Sequence, residues 1–446
     1  MRGKTWIRRA QSGLLATGLA VALCLSACGD VGMTMSDDSS ACGDAGVTMS
    51  DDSSAYGDVG MLVQSRDLMA GIQPQTVAAR EADDPFLNGV ADFSVTLFQS
   101  SRTADENFLL SPLSALIALS MTANGAGGET LQEMEQVLCG GVPIAQLNEY
   151  LHTYTAGLPS GDDARLQLAN SLWFREGEVQ LAQPFLQANA DYYGAPAHMG
   201  AFDSGTVQEI NEWAKRETDG MIDTLLEEIP REAMLYLLNA VMFDAQWERP
   251  FEEANIREQP FYAANGESQT AQMMHATERL LRDGETGGFI KSYAGGRYAF
   301  VGLLPPEGEL EAYIASLTGE RLRELVLSAS YDRVYIALPK FCHSCEIELN
   351  GALEDMGMVR AFAPETADFT RIGDCLAGRL YISRVFQKTY IDVNEQGTRA
   401  AAVTGVEVAA ESMPPLLEFN RPFVYAVVDL ETGLPLFLGT VTHMEA

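Results

Sequence analysis

A stretch of alternating small and charged residues near the end of the chain, residues 394–412 (NEQGTRAAAVTGVEVAAES), limits the possible folds more than any other part of the sequence. It follows a strand pattern at residues 389–393 and precedes Pro414 and Pro415, which cannot continue a hydrogen-bonded ladder. Side chains of an extended chain alternate between two faces. One face of this stretch is small or apolar throughout: Thr398, Ala400, Ala402, Thr404, Val406, Val408 and Ala410. The pattern predicts a half-buried strand slim enough to slip between two existing strands. An alanine-rich helical turn in a surface loop is the alternative that it leaves open.

Several stretches, in matching order, resemble one known family. NEQGTRAAAVTGVEV resembles the hinge of the serpin family, and EFNRPFVYAVVDLETGLPLFLGTV resembles that family's C-terminal strands. Five further segments match it: NFLLSPLSALIALSMTANGAGGETLQEM from Asn107, INEWAKRETDGMIDTLL from Ile210, LNAVMFDAQWERPFEE from Leu238, VYIALPKF from Val334 and GMVRAFAPETADFTRI from Gly357. The resemblance implies a serpin domain at residues 85–446. Its fold would be α+β, with a large central mixed or antiparallel sheet, further sheets, a helical N-terminal half and an exposed reactive-centre loop.

The function implied by this resemblance is suicide inhibition of an extracellular serine protease. The protease cleaves the loop and forms an acyl-enzyme, and the freed hinge inserts into the central sheet before hydrolysis is complete. Such strand addition with release of strain is a general property of serpins. The hinge residues implied are Glu395, Gly397, Thr398, Arg399, Ala400, Ala401 and Ala402. Arg399 departs from the family, which usually has glutamate there. A non-inhibitory binding or carrier protein with the same fold, on the cell surface, is the alternative.

The reactive bond implied by the resemblance is Glu411–Ser412, and cleavage after Ala410 is the alternative. Glutamate at the specificity position indicates a glutamyl endopeptidase-like target, whereas Val408 and its alanine neighbours indicate an elastase-like one. The inhibitor is expected to act as a monomer.

A second group of residues is implied to control the opening of the central sheet. The family's counterpart of Asn239 joins Ser111 and Ser114 in a hydrogen-bonded cluster under the sheet, and Gln387 stands where the family usually has histidine. Trp247 matches the tryptophan at the top of the sheet. Lys340 and Glu395 match positions at the ends of neighbouring strands, where we hypothesise a salt bridge.

Residues 1–27 resemble a bacterial lipoprotein signal peptide, with a basic start, a short apolar stretch and the sequence LSAC ending at Cys28. The resemblance implies that Cys28 is lipidated and anchors the exported protein on the extracytoplasmic face of the membrane. An ordinary secretory signal, with an extracellular product, is the alternative. Residues 28–84 contain copies of a 14-residue unit poor in apolar residues, so they are interpreted as a disordered Gly/Asp/Ser-rich tether.

Composition and motifs argue against other functions. The formal charge of −33 makes nucleic acid a poor partner. Cys342 and Cys345 suggest a metal site, but a zinc site needs a second pair of ligands, and a strand would point them to opposite faces. Free thiols or a disulfide are expected there, with no metal and no cofactor. No hydrolase motif occurs, and Ser412 has no base nearby. The protein is therefore not expected to be an enzyme.

Overall fold

The computed structural model describes residues 65–161, 164–376, 378–398 and 414–445, which all belong to one compact unit at residues 61–446. The helices of these residues are concentrated in the first half of the domain. They are α1 (Asp84–Ser101), α2 (Pro112–Ala123), α3 (Gly128–Cys139), α4 (Ile144–Ala156), α5 (Gln183–Tyr193), α6 (Ser204–Glu217), α7 (Leu310–Ser316), α8 (Gly319–Leu327) and α9 (Asn350–Asp355). Short 3-10 turns occur at Glu253–Asn255 and Arg360–Phe362.

Helix α2 starts as the sequence pattern indicates, but its capping residue serves another purpose. Ser111 is the N-cap and Pro112 the first helical residue, an arrangement that suits the fixed φ of proline. The Ser111 hydroxyl does not cap the helix and instead donates to the Leu436 carbonyl at 2.9 Å. The start of α2 is thereby fixed to a strand of the second large sheet.

The strands form three sheets in the described part of the chain. They are β1 (Arg66–Asp67), β2 (Phe108–Leu110), β3 (Ala164–Arg175), β4 (Val179–Leu181), β5 (Ala197–Gly200), β6 (Leu235–Gln246), β7 (Ile256–Tyr262), β8 (Ser268–Asp283), β9 (Thr286–Ser292), β10 (Tyr298–Leu304), β11 (Arg333–Pro339), β12 (Phe341–Glu348), β13 (Gly373–Cys375), β14 (Arg384–Val393), β15 (Gly397–Thr398), β16 (Leu416–Glu418), β17 (Phe423–Asp429) and β18 (Pro435–Val441).

The central sheet has seven strands in the order β1-β5-β3-β6-β15-β14-β12. It is mixed, because β6 is antiparallel to β3 and parallel to β14. A nine-stranded sheet has the order β16-β11-β8-β9-β10-β17-β18-β2, with β7 also pairing β8, and β4 pairs with β13. The α+β class, the large mixed sheet and the helix-rich N-terminal half are confirmed.

Strand β6 is buried on both faces, which explains its nearly unbroken apolar sequence. Leu235 and Leu237 belong to the main core, which includes α2 and the nine-stranded sheet. Tyr236 and Leu238 belong to a second core that includes Trp213 of α6. The central sheet therefore lies between two apolar layers, and a strand added to it would have one face toward each.

The segment before α1 corrects the predicted extent of the tether. The prediction assigns residues 65–84 to the tether, but β1 pairs with β5, Leu68, Met69 and Ile72 pack against the core, and Asp84 is the first residue of α1. The three apolar residues gain burial that a solvated tether would not offer. The folded unit thus includes residues 65–84. Among the described residues, every helix is too short or too polar to span a bilayer.

Candidate functional site

Strands β6 and β14 in the middle of the central sheet pair along only part of their length. Their last register pair is Val241 with Thr389. Beyond it, β15 lies between the two strands, with Thr398 opposite Ala245 of β6 and Val393 of β14. At this end β15 separates β6 from β14, whereas along the six register pairs the two strands are bonded directly to each other. A chain that continued β15 would have to separate those six pairs.

The chain reverses direction between β14 and β15 in a turn closed by Asn394. Its side-chain oxygen accepts hydrogen bonds from the backbone N–H groups of Gln396 at 2.9 Å and Gly397 at 3.3 Å. A Cβ atom added at Gly397 would lie 2.1 Å from the Ala245 carbonyl oxygen. Only glycine therefore lets the hinge approach β6 this closely.

A pair of stacked aromatic rings holds the first hinge residues in place. Trp247 stacks on Tyr293 with ring centroids 4.4 Å apart, and its Nε1 donates to the Asn394 carbonyl at 2.9 Å. The Tyr293 hydroxyl lies 2.6 Å from Oγ1 of Thr398, whose side chain is 1% exposed. Burial raises the pKa of Tyr293, which keeps its hydroxyl protonated and able to donate. Thr398 is thus an inward-facing residue with a specific hydrogen-bond partner.

A buried ammonium group supports these rings. Lys291 is 2% exposed, and its Nζ lies 4.3 Å from the ring centroid of Phe251 and 5.4 Å from that of Trp247. Its Nζ donates to Glu278 and to the Arg249 carbonyl, at 2.5 and 2.7 Å. Burial lowers the pKa of Lys291 although Glu278 opposes that shift. The charge is compensated by one carboxylate and two aromatic faces.

Lys340 and Glu395, the proposed salt bridge, lie 2.5 Å apart at the same end of the sheet. Burial alone would raise the pKa of the Glu395 carboxyl, but the hydrogen bond and charge of Lys340 outweigh it and hold that pKa below its usual value. The Glu395 carbonyl also accepts from the Phe251 N–H at 2.9 Å. Glu395, the first residue of the predicted hinge, is therefore attached through both its side chain and its backbone.

The remaining hinge and reactive-bond residues lie outside the described residues, and so does the predicted lipidation residue Cys28. The hinge and reactive-bond residues concerned are Arg399, Ala400, Ala401, Ala402, Ala410, Glu411 and Ser412.

Gln387 connects the closed part of the sheet to α2. Its amide oxygen accepts from the Ser111 N–H at 2.8 Å, and its Nε2 donates to the Ser111 carbonyl at 3.0 Å. The same Nε2 lies 3.3 Å from Oδ1 of Asn239 in the neighbouring strand. Gln387 and Asn239 are a register pair of β14 and β6. This contact therefore crosses the seam, by which we mean the six directly paired positions of β6 and β14 that insertion would separate.

The position of Ser114 differs from the one implied by the resemblance. Its hydroxyl donates to Oδ1 of Asn170 in β3, at 3.0 Å, rather than joining Asn239. Asn170 and Asn239 are opposite each other in the β3–β6 ladder. The cluster thus divides into two parts. The Ser114 hydroxyl is hydrogen-bonded to the Asn170 side chain, and the Ser111 backbone is hydrogen-bonded to Gln387.

Asn239 is left with an unused donor. It is completely buried, yet its Nδ2 has no hydrogen-bond partner among the described residues. A buried donor without an acceptor costs about 1–3 kcal/mol. This part of the seam is therefore less stable than a fully paired one.

Three residues of the site were not anticipated from the sequence: Asn170, Tyr293 and Asn394. Asn170 had only a weak signal, because Ser171 follows it and the strand is less uniformly apolar there than around Asn239. Tyr293 contacts Thr398, which is 105 residues away in the sequence, and no local sequence pattern predicts a contact at that separation. Asn394 was visible only as a turn-forming residue.

Two cysteines and a histidine, Cys342, Cys345 and His343, lie on β12 at the edge of the central sheet. Cys342 is exposed and Cys345 half-buried on β12, both are free thiols, and burial raises the pKa of each. Burial lowers the pKa of His343 to about 4, and its Nε2 lies 3.0 Å from the Tyr425 hydroxyl. Within this part of the chain, His, Cys, Asp and Glu form no cluster of three or more suited to a metal.

Comparisons with known proteins agree with this architecture. The family model described as serpin (serine protease inhibitor) matches residues 88–444. Tengpin, a thermophilic serpin, has been solved in its native state, which shares 43% identity and a TM-score of 0.83 and covers 86% of this chain and 100% of its own. Its latent state gives 41% identity, a TM-score of 0.75 and coverage of 82% and 100%.

Two curated relatives extend the comparison. An uncharacterised serpin-like protein of Thermococcus kodakarensis is 30% identical over 81% of this chain and 86% of its own length. Corticosteroid-binding globulin of Saimiri sciureus is 28% identical over 79% and 89%. The relatives therefore include a protein named for hormone binding, within a family described by protease inhibition.

Proposed function

The chain belongs to the serpin family, and on that premise we propose that it inhibits a serine protease by irreversible trapping. The family is described by protease inhibition rather than by catalysis of its own. In the proposed reaction, the protease serine attacks the loop carbonyl and forms an acyl-enzyme, and the peptide C-terminal to the cut is the leaving group. The freed hinge then extends β15 into the central sheet and carries the attached protease along it.

The observation that carries the proposal is the engagement of Gly397 and Thr398 between two strands that pair only below them. Extension of β15 needs no new contact at its start, since the turn, Tyr293 and the β6 backbone already hold these residues. The rest of the insertion needs slim inward side chains, and the sequence supplies Ala400 and Ala402.

The register of β15 predicts which groups meet after insertion. Because antiparallel strands run in opposite directions, Thr404, six residues after Thr398, would come opposite Asn239, six residues before Ala245. Paired residues of a ladder share one face. A threonine hydroxyl would then lie beside the buried Nδ2 of Asn239 that has no partner before insertion. Insertion would thus relieve a buried unsatisfied donor while it adds a strand.

We propose cleavage at Glu411–Ser412, or after Ala410, by a glutamyl endopeptidase-like or elastase-like extracellular protease. The direct test incubates the protein with proteases of both classes and separates the products on a denaturing gel. A band at the summed mass that survives denaturation supports the trap. Hydrolysis without that band, by every protease that cuts the loop, contradicts it. Mass spectrometry of the released C-terminal peptide locates the bond, and a first residue other than Ser412 or Glu411 refutes the assignment.

The second candidate function is that of a non-inhibitory binding or carrier protein, and the hormone-binding relative makes it specific. A carrier does not need a hinge free of bulky inward side chains. The glycine and the small even-numbered residues of this hinge favour inhibition over the carrier function. The two candidates differ in the gel experiment, where a carrier yields only cleaved chain.

We also propose that the protein is exported and lipid-anchored through Cys28, and that it acts as a monomer. The LSAC sequence and the polar tether after it support the anchor. In a host that processes lipoproteins, labelled fatty acid should appear in the native protein and not in a Cys28→Ser variant. Label retained by that variant would contradict the assignment.

A further inference from the structure

A mixed basic and aromatic surface lies where the C-terminal side of the reactive loop joins the nine-stranded sheet. β16 pairs in parallel with β11, and the Tyr335 N–H donates to the Pro415 carbonyl at 2.8 Å. Pro415 lies three residues after the proposed Ser412 of the reactive bond. A protease bound at that bond is therefore close to β11.

The outward side of β8, β11 and β16, with the bend before β11, carries five residues, which we call the loop-foot surface: Arg279, Tyr331, Arg333, Tyr335 and Leu416. Val334 and Ile336 alternate with Arg333 and Tyr335 and are completely buried, so the strand turns its other side to the core. Leu416 is opposite Tyr335 and is 52% exposed. Tyr331 is 93% exposed. Tyrosine and arginine are among the residues enriched at the centres of protein–protein interfaces.

The two arginines of the loop-foot surface form a like-charged pair. Arg333 is directly opposite Arg279 in the β8–β11 ladder, an arrangement that destabilises a sheet. Arg279 has structural contacts, since its guanidinium donates to the Ala329 and Ser330 carbonyls and lies 5.7 Å from the Tyr331 ring. Arg333 is exposed, and no carboxylate of the described residues forms a salt bridge with it. Within the described part of the chain, the Arg333 side chain therefore has no ion pair or hydrogen bond that offsets the unfavourable pairing.

We infer that the loop-foot surface is a docking site for an acidic surface of the target protease, beside the protease's active-site cleft. The inference rests on the proposed inhibitory function and names its partner more closely. Asp332 lies between Tyr331 and Arg333 and is the one carboxylate within this stretch, so Arg279 and Arg333 leave it with a formal charge of +1, while Glu418 lies farther along β16. With a net charge of −33, most of the protein surface repels an acidic partner. A local cationic surface is therefore the place where such a partner can make contact.

A protease fits this surface better than a sulfated polysaccharide does. Two arginines offer few contacts to a polyanion, and the overall charge opposes its binding. The Debye length is about 8 Å at 0.15 M ionic strength, so at that salt the distant acidic residues are screened and contacting charges decide.

The test measures docking apart from trapping. A negatively charged glutamyl-specific serine endopeptidase and a positively charged elastase, each with its active-site serine replaced by alanine, are immobilised. Their Kd for the intact inhibitor is measured at 0.15 M salt. Arg333→Glu should weaken docking to the acidic protease about tenfold and leave or improve docking to the basic one. Arg333→Lys should retain most of the affinity.

Arg231→Glu is the matched control. Arg231 is also exposed and lies before the first residue of β6, at the end of the sheet opposite to the hinge. This variant should stay within twofold of the parent. The thermal midpoint of Arg333→Glu should not fall, because the change removes a repulsive pair.

Several results would overturn the inference. The inference fails if Arg333→Glu docks as tightly as the parent, if Arg231→Glu weakens docking equally, or if the parent docks to neither protease. Binding of dextran sulfate, a sulfated polysaccharide, is measured in parallel. If Arg333→Glu loses that binding while protease docking is unchanged, the partner is a polyanion and the inference fails. Docking that depends on Arg333 without any covalent complex from the active proteases would keep this inference and count against the proposed trap alone.

Discussion

At the scale of single residues, Thr398 is where a side chain of the hinge first lies inside the sheet. It is 1% exposed, is within 2.6 Å of the Tyr293 hydroxyl and is opposite Ala245 of β6. Thr398→Arg would place a long cation in this pocket without a carboxylate to pair with it. A buried unpaired charge costs several kcal/mol. We expect insertion to become slower than deacylation, so that the variant is cleaved as a substrate.

The measurement is the number of inhibitor molecules consumed per protease trapped. It should rise at least tenfold for Thr398→Arg and stay near the parent value for Thr398→Ser, which retains the hydroxyl. Unchanged trapping by the arginine variant would mean that the residue does not enter the sheet during inhibition.

The Lys340–Glu395 salt bridge is expected to contribute about 1 kcal/mol to the free energy of unfolding, since both side chains keep some exposure, 27% and 20%. The pKa of Glu395 is lowered in the folded protein. The contribution is therefore complete above the ordinary carboxyl value of 4.5 and is lost as the pH falls through the lowered value.

A double-mutant cycle with Lys340→Ala and Glu395→Ala should show this coupling at pH 7 and a smaller one well below pH 4.5. Absence of coupling at neutral pH would mean that the Lys340–Glu395 salt bridge does not help to hold the hinge.

At the scale of elements, the closed seam between β6 and β14 opposes insertion, and Gln387 is its main polar connection. Gln387→Leu preserves volume but leaves the Ser111 N–H without its partner and removes one of the two donors to the Ser111 carbonyl, which keeps the Ala115 N–H. We expect the free energy of unfolding of the intact protein to fall by about 2–3 kcal/mol. Gln387→His, which keeps a donor and an acceptor, should lose less. Denaturant unfolding of the three proteins checks this order, and equal stability of all three would contradict it.

The sequence was most informative where one element carries its own pattern. A nearly unbroken apolar run such as the one around Asn239 is typical of a strand buried on both faces, and the structure has β6 there with one face in each core. Serine followed by proline is typical of a helix start, and α2 begins at Ser111 and Pro112. These features depend on neighbours within a few residues, which a sequence pattern can register.

Contacts between distant segments were the part that sequence patterns did not reveal. Ser114 bonds Asn170, and Trp247 stacks on Tyr293, because sheet register and helix packing bring these residues together. The pairing of β1 with β5 likewise depends on the tertiary fold, which leaves the edge of β5 available for pairing with residues 66–67. The three apolar residues Leu68, Met69 and Ile72 are too few to mark a folded segment directly after the polar repeats.

At the scale of the whole molecule, the described state is one in which the hinge has started into the sheet and the rest of the seam is closed. Its higher similarity to the native than to the latent state of tengpin, by TM-score 0.83 against 0.75, agrees with that description. About ten further residues of inserted strand would each form backbone hydrogen bonds worth roughly 1 kcal/mol net. The intact fold is thus expected to be less stable than the cleaved one.

The thermal midpoint of the protein before and after a single cut near residue 411 tests this expectation most directly. The account predicts that the nicked protein, with both fragments retained, melts at a temperature higher by roughly 10–20 °C. An unchanged or lower midpoint would mean that cleavage releases no stored energy, and the inhibitory mechanism would be contradicted.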